Sequence, residues 1–534
     1  MIRISSIGKQ ISCRSAAKLQ RTALLETFSL STASPQLDAT SLNRSEIKLK
    51  NVPSVPIFGS AIPFVSGLKL EENDLLGFWR DMHRRFGPFY SVGLPGLGKG
   101  VNGTCYFVRD PIEMMKVLKQ EGSFPSGIIQ AQWPIISWLT KKNYSTVGFY
   151  SRGQEWKRIR SFLQKDILSP MSAKEYLPGI LRGAALASPK AVDFEDDIER
   201  FLNFAATDMF ANVLFGNNEG MSEEDYRTFC EVGVEVLSEV VQMTRSAYEN
   251  AAYFSGAFQT VRVRKFHDNM DIVNGIAQKQ LRSVLKRIEE GNVTEDEKQS
   301  YFYKAILRQP GSEVTQEEVI QMCMILMLAS VDTTASMMSW NILQLGLNQH
   351  VQDELYQQIY QAVQREGGLT PAIFENSQIP LLQAFIRETH RCTPSTPLDL
   401  FKEVSLPTTV YGVTLPAGSI IGFDSQTASM DPSIVDDPLT FRPERWFPEA
   451  VKARQGTPAA LMDHTFFSGP FSQGARRCPG SRVAYLEIQV MLAQLLLDYR
   501  IESPTSMVHW KDVKSVFALL LTPHFPEGVR LARR

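Results

Sequence analysis

The segment FSQGARRCPG, residues 471–480, sets Cys478 between glycines and beside Arg476 and Arg477, and a long apolar run begins directly after it at Ser481. Glycines let a chain turn through positive φ and gather backbone N–H groups around a sulfur, while the arginines and the N-terminus of a following helix add positive potential. Thiolate is therefore expected over thiol at Cys478. A sulfur anion in this setting could serve as a nucleophile, a redox sensor or a metal ligand. A second chemical feature is Asp332, followed by Thr333 and Thr334, which interrupts an otherwise apolar stretch starting at Cys323. A carboxylate on a buried helix is costly unless it is partnered, so its presence calls for a reason.

The elements that must position these residues are mainly helical. Apolar periodicity predicts helices over 72–86, 154–165, 193–214, 222–241, 254–290, 315–348, 351–366, 379–392 and 481–498. Thr315 and Glu318 fit a capping box at the start of a long, proline-free helix, which is apolar on all sides from Cys323 to Val331, as a buried helix is. Strand-like runs are shorter and paired, 89–92 with 104–108 and 408–413 with 419–423. Pro53, Pro56 and Pro63 suit an extended entry segment where the folded part begins. With no repeat period and no long linker, one large domain over residues 41–534 is expected, mainly α with a minor β part, built around a long central helix with small β-sheets.

Composition narrows the function further. At 534 residues, with 43% apolar and 21% charged, the chain is long and apolar enough for a large core. A net charge of −1 provides no basic field, so no nucleic-acid partner is expected. Cys13, Cys105, Cys230, Cys323 and Cys392 show no CxxC spacing, which argues against a zinc ribbon or a disulfide framework. Continuous apolar runs fall short of the about 20 residues a bilayer requires, so no transmembrane anchor is expected, and peripheral membrane association stays open. Arg3, Lys9, Arg14, Lys18 and Arg21 precede the first acidic residue, Glu26, in a serine-rich stretch where Ile4, Ile7 and Ile11 recur at helical spacing. Residues 1–40 are accordingly read as a transit peptide and flexible segment, mitochondrial in preference to plastid, the alternative being a disordered basic tail.

The pattern Phe-x-x-Gly-x-Arg-x-Cys-x-Gly, met at Phe471, Gly474, Arg476, Cys478 and Gly480, resembles the haem-binding loop of the cytochrome P-450 superfamily. The resemblance implies haem b, iron protoporphyrin IX, with Cys478 as the axial thiolate on iron, Arg476 on a propionate and Phe471 packed beside the sulfur. A thiolate ligand pushes electron density onto iron and favours O–O cleavage. Glu388 and Arg391 resemble the family's Glu-x-x-Arg helix, with Arg445 of the Phe441–Trp446 segment as third member of a structural latch. The same spacing at Glu155/Arg158, Glu224/Arg227 and Glu527/Arg530 reads as surface charge. Trp156 and Arg160 resemble the family's propionate-binding Trp-x-x-x-Arg pair. Residues 329–334 resemble its oxygen-activation segment, which implies Asp332 and Thr333 as catalytic residues that deliver protons to dioxygen. Serine at 330 replaces the usual glycine; it could join the relay, narrow the pocket or bond back to a helical carbonyl.

The residues around Gly153 and Leu168, with the presequence, resemble the mitochondrial class, which implies a ferredoxin-type electron donor fed by NADPH through a reductase. Gln383 and Arg387 stand where that class carries two lysines, and Ser481 where a basic residue often follows, so one positive charge of three survives. Lys157, Arg158, Lys165 and Arg477 could form a basic face instead. Apolar segments 128–139, 394–400 and 516–521, matched to the family's pocket walls, suit a lipophilic sterol, terpenoid or fatty acyl substrate; Asp399 could bind a polar group or shape a turn. The reaction implied is monooxygenation. The alternatives are a haem-thiolate isomerase or dehydratase acting on a peroxide, and a non-catalytic haem-binding protein.

Overall fold

Gln316–Leu347 forms one uninterrupted helix through the middle of the computed structural model, which describes residues 47–53, 75–95, 102–127, 133–144, 150–216, 221–256, 259–375, 377–396, 400–464, 467, 470–504, 506–517, 520–525 and 527–534. Its start is the expected capping box. Glu318 N–H donates to Thr315 Oγ1 at 3.2 Å and Thr315 N–H donates to Glu318 Oε2 at 2.7 Å, which satisfies two donors that a helix start leaves open. Because apolar side chains cover its circumference, helices close around it: Ile198–Phe215, Val261–Glu289 and Ser481–Asp498 all pack against it. One window of this helix is apolar enough to cross a bilayer, yet 83% of that window is buried within the protein, so the apolar character belongs to the core.

The chain is mainly α with small β-sheets, and most predicted helices recur within a few residues, at Leu75–Phe86, Gly153–Ile167, Glu223–Arg245, Gln349–Glu366, Pro380–Cys392 and Ser481–Asp498. Two differ. The stretch read as one helix over 254–290 breaks, because Ala247–Ser255 ends at Gly256 with φ 66° and Val261–Glu289 starts afresh at Thr260, whose hydroxyl accepts from Val263 N–H. The helix read from 193 starts at Ile198, capped by Asp197, after a 3-10 segment kinked at Phe194. The short helices Pro111–Lys119, Trp133–Lys141, Leu177–Ala187 and Tyr301–Arg308 were not predicted. In Leu177–Ala187, Gly183 lets the helix cross Ile198–Phe215 closely; a Cβ there would stand 2.9 Å from Met209 Cα.

A five-stranded sheet runs in the order Lys50–Asn51, Phe89–Pro95, Asn102–Val108, Ile420–Phe423, Leu400–Glu403. The first predicted strand pair is its antiparallel core. The second pairing is not formed: residues 408–415 fold on themselves as a hairpin, Thr408–Val410 with Val413–Leu415, turning through Tyr411 (φ 47°) and Gly412 (φ 80°). Ile420–Phe423 instead lies parallel to Asn102–Val108 and antiparallel to Leu400–Glu403. The proposed transit segment and most of the proline-rich entry lie outside the described residues.

Candidate active site

The cysteine loop is closed by its own backbone. Cys478 N–H donates to Phe471 C=O at 3.0 Å and Arg477 N–H to Gly474 C=O at 3.1 Å. Positive φ falls at Ser472 (57°) and Gly474 (79°), while Gly480, at −79°, is an ordinary helix cap, so one of the two flanking glycines makes the turn. A Cβ at Gly474 would come within 3.0 Å of Leu118 Cδ2. Phe471 packs edge-on against Tyr485 of the following helix, ring centres 5.0 Å apart. Burial pushes the Cys478 thiol up, against the Gly480 and Ser481 N–H groups and Arg160 and Arg477, which pull it down. Desolvation and the positive surroundings thus act on this sulfur in opposite directions.

One neighbouring helix and the loop itself gather cations here. The Gly153–Ile167 helix presents Trp156 and Arg160 one turn apart, both buried. Arg160 Nη2 donates to Arg477 C=O at 2.5 Å, and its buried Nε has no hydrogen-bond partner among the described residues. Arg476 stacks on Trp156 at 4.4 Å and donates to the carbonyls of Pro125 (2.8 Å) and Ser151 (3.0 Å). Burial, then Arg152 and Arg160, lower Arg476 to about 10. Guanidinium groups crowd together here, and the unmet Arg160 donor suits an anionic group that bears carboxylates.

Glu388 is the hub of a buried network. Arg391 donates to both its oxygens at 2.9 and 2.7 Å, and Arg445 Nε donates to Oε1 at 3.2 Å. The structure thus brings the three predicted residues together. It adds two donors that sequence reasoning missed, the Trp446 indole at 2.9 Å and Arg442 N–H at 2.9 Å. Arg387, read as a docking charge, is half-buried and lies over the Trp446 ring at 4.4 Å. Arg158, read as a surface charge, bonds Glu155 at 2.7 Å and Glu318 at 2.5 Å, tying its helix to the start of the central one.

On the central helix, Asp332 is 4% exposed and burial raises its carboxyl to about 6. The Thr333 hydroxyl donates to Ala329 C=O at 2.8 Å and the Ser330 hydroxyl to Met327 C=O at 2.8 Å, so the third reading of Ser330, a bond back to its own helix, is the one observed. Two further acids went unread. Glu487, on the helix that follows Cys478, is 1% exposed, within hydrogen-bonding reach of Thr334, and raised by burial to about 8. Its signal was an acid among the apolar positions Val483, Ile488 and Met491. Glu199 is raised to about 7 by burial, then by Asp332 and Asp197.

A small cavity opens beside Ala329, walled by Ile135, Trp138, Leu139, Met324 and Leu328 among others. Of the first predicted wall, Ile135, Trp138 and Leu139 line this cavity. Trp133 turns away, donating to Asn250 and stacking on Tyr253 at 4.3 Å. Residues 394–396 and 520–521 do not line this cavity. Residues 128–132, 397–399 and 518–519, Asp399 included, lie outside the described residues.

Residues 51–526 match the family described as Cytochrome P450. Among known proteins, the chain is similar to the mitochondrial sterol 26-hydroxylase of Rattus norvegicus, 25% identical over 471 residues that cover 84% of this chain and 83% of that protein. It is similar also to the mitochondrial cholesterol side-chain cleavage enzymes of Macaca fascicularis, 24% identical over 485 residues (85% and 86%), and of Homo sapiens, 24% over 486 residues (85% and 86%).

Proposed function

This chain belongs to the cytochrome P450 family, and from that premise we propose that it is a mitochondrial monooxygenase that hydroxylates a sterol-like substrate. Monooxygenase action on lipophilic compounds with a haem-thiolate cofactor follows from the family. The finer reading rests on the relatives, named for sterol and cholesterol oxidation in mitochondria, and on the basic, acid-poor first 25 residues. The overall reaction consumes a C–H bond, dioxygen, two electrons and two protons, and yields an alcohol and water. NADPH supplies the electrons through a reductase and a ferredoxin.

Haem b suits the loop. Cys478 would hold its iron, with Phe471 beside the sulfur, and Trp156, Arg160 and Arg476 would hold its carboxylates; the crowded guanidinium groups and the unmet Arg160 donor support this assignment. When bound, a thiolate-ligated haem supplies the activation of dioxygen. Asp332, with a carboxyl near 6, can release and regain a proton around neutral pH, and the Thr333 hydroxyl next to it can pass one on. The apolar wall of Ile135, Leu139, Met324 and Leu328 suits the hydrocarbon of such a substrate. Glu388, Arg391 and Arg445 tie the helix Pro380–Cys392 to the 436–446 segment.

The observation that carries the reading is the Asp332–Thr333 pair on the cavity's own helix, joined through Thr334 and Glu487 to the helix that follows Cys478. An isomerase acting on a preformed peroxide needs no such proton supply. The test supplies NADPH, a ferredoxin reductase and ferredoxin with labelled dioxygen and a sterol panel. One labelled oxygen in a sterol product supports the proposal; turnover with organic peroxide alone, and no label taken up, contradicts it.

A further inference from the structure

The cavity beside Ala329 is roofed by two helices joined by a row of polar contacts. From Trp133–Lys141 and the residues after it come Ser137, Trp138, Lys142 and Tyr144. From Val261–Glu289 come His267, Asp271, Asn274 and Gln278, spaced by four, three and four residues, hence on one helix face. Ser137 Oγ and His267 Nε2 are 2.9 Å apart; the Trp138 indole and Lys142 both reach Asp271 at 2.8 Å; Gln278 Nε2 donates to the Tyr144 hydroxyl at 2.9 Å. These contacts are short and clamp the roof. Asn274 differs in two ways. Its own bonds are the long ones of the row, 3.4 Å to the Tyr144 hydroxyl and 3.3 Å from Gln278, and its side chain lines the cavity.

A primary amide offers two N–H donors and two carbonyl lone pairs. In these bonds Asn274 uses one of each. The remainder matches a group that both donates and accepts, which is a hydroxyl. The lining around it is apolar apart from the Tyr150 hydroxyl and the Trp138 indole, whose N–H is engaged by Asp271. A ligand that fits is therefore apolar over most of its length and carries one alcohol at the Asn274 end, with a hydrocarbon portion toward Leu328 and Ala329. On the reading of the chain as a monooxygenase, we propose that Asn274 is the specificity-determining residue, hydrogen-bonding the alcohol of its lipophilic substrate. Tyr144 and Gln278 are positioning residues that hold the amide in place before ligand arrives.

The test uses holoprotein and matched ligand pairs: cholesterol with 5-cholestene, a diterpene alcohol with its hydrocarbon, and a long-chain alcohol with its alkane. Binding is read twice, by the Soret shift and by the part of the tryptophan fluorescence change that is lost in a Trp138→Phe background, since Trp138 lines the cavity and reports without haem. Asn274→Leu is expected to weaken the alcohol of the best-bound pair about tenfold and to leave its hydrocarbon partner within twofold, the worth of about one hydrogen bond. Asn274→Ala carries the same readout if the leucine variant does not accumulate. Equal loss for both members of the pair makes Asn274 merely structural and overturns the proposal. So does loss of discrimination in Tyr150→Phe but not in the Asn274 variants, or no response to any pair. Absence of a Soret band alongside the expected fluorescence pattern defeats the haem reading and leaves the Asn274 assignment standing.

Discussion

Glu388 receives both Nε and Nη2 of Arg391, and neither side chain has any exposed surface. A bidentate pair this deep contributes little if both charges are replaced together, but removing one leaves the other uncompensated. Arg391→Ala is expected to lower stability by about 3–5 kcal/mol, and Arg391→Lys to lower it as well, since an ammonium cannot reproduce the fork. Thermal unfolding and the haem content of purified protein check this; a lysine variant as stable as the parent contradicts it.

Glu487 gives a pH signature. Its carboxyl moves from an ordinary 4.5 to about 8 because burial disfavours the charged form. The folded state therefore binds the proton more tightly than the unfolded one, so this group takes stability away as pH rises from about 4.5 to about 8. The loss has an upper bound of about 5 kcal/mol. Glu487→Gln is expected to match the parent below pH 4.5 and to be the more stable of the two at pH 8, read as melting temperature against pH. Parallel profiles contradict the assignment.

Ser330 and Asp332 should part company in turnover. The Ser330 hydroxyl is satisfied by Met327 C=O, so Ser330→Gly is expected to change turnover by less than about threefold, while its helix-breaking tendency costs roughly 0.5 kcal/mol of stability. Asp332→Asn is expected to cut turnover by about 10²–10⁴ with the spectral affinity for substrate unchanged. Steady-state rates with saturating ferredoxin decide; a large loss at Ser330 would put its hydroxyl in the proton supply.

On the proposed ferredoxin-dependent reading, donor docking falls on charges that remain in solvent. Lys157 and Lys165 are exposed, whereas Arg387 is folded over Trp446. Charge reversal at Lys157 and Lys165 is expected to raise KM for ferredoxin several-fold, most at low salt, and Arg387→Gln to lower the melting temperature while leaving that KM alone. An Arg387 effect on KM with none from the lysines reverses this assignment.

What could be read from sequence was local. The FSQGARRCPG loop, the Glu388/Arg391 spacing, the Thr315 capping box and Asp332 amid apolar neighbours each sit within a few turns of chain. Trp446 on Glu388, Arg158 on Glu318, Glu487 against Thr334 and the Asn274 row arise from segments tens to hundreds of residues apart, and their side-chain chemistry looks ordinary until folding brings them together. Helices such as Pro111–Lys119 span too few turns for periodicity to register. The strand Ile420–Phe423 shows why proximity in sequence misleads: the hairpin before it closes on itself at Tyr411 and Gly412, leaving the strand free to join a distant sheet. At Cys478 the positive neighbours are visible in sequence, whereas the burial that opposes them is not.

The central claim is that Cys478 holds haem iron through its sulfur. The most direct measurement is the spectrum of reduced, carbon monoxide-treated holoprotein, compared with that of Cys478→Ala. The account predicts a thiolate-type Soret band in the parent and its loss in the variant; the same band in both would contradict it.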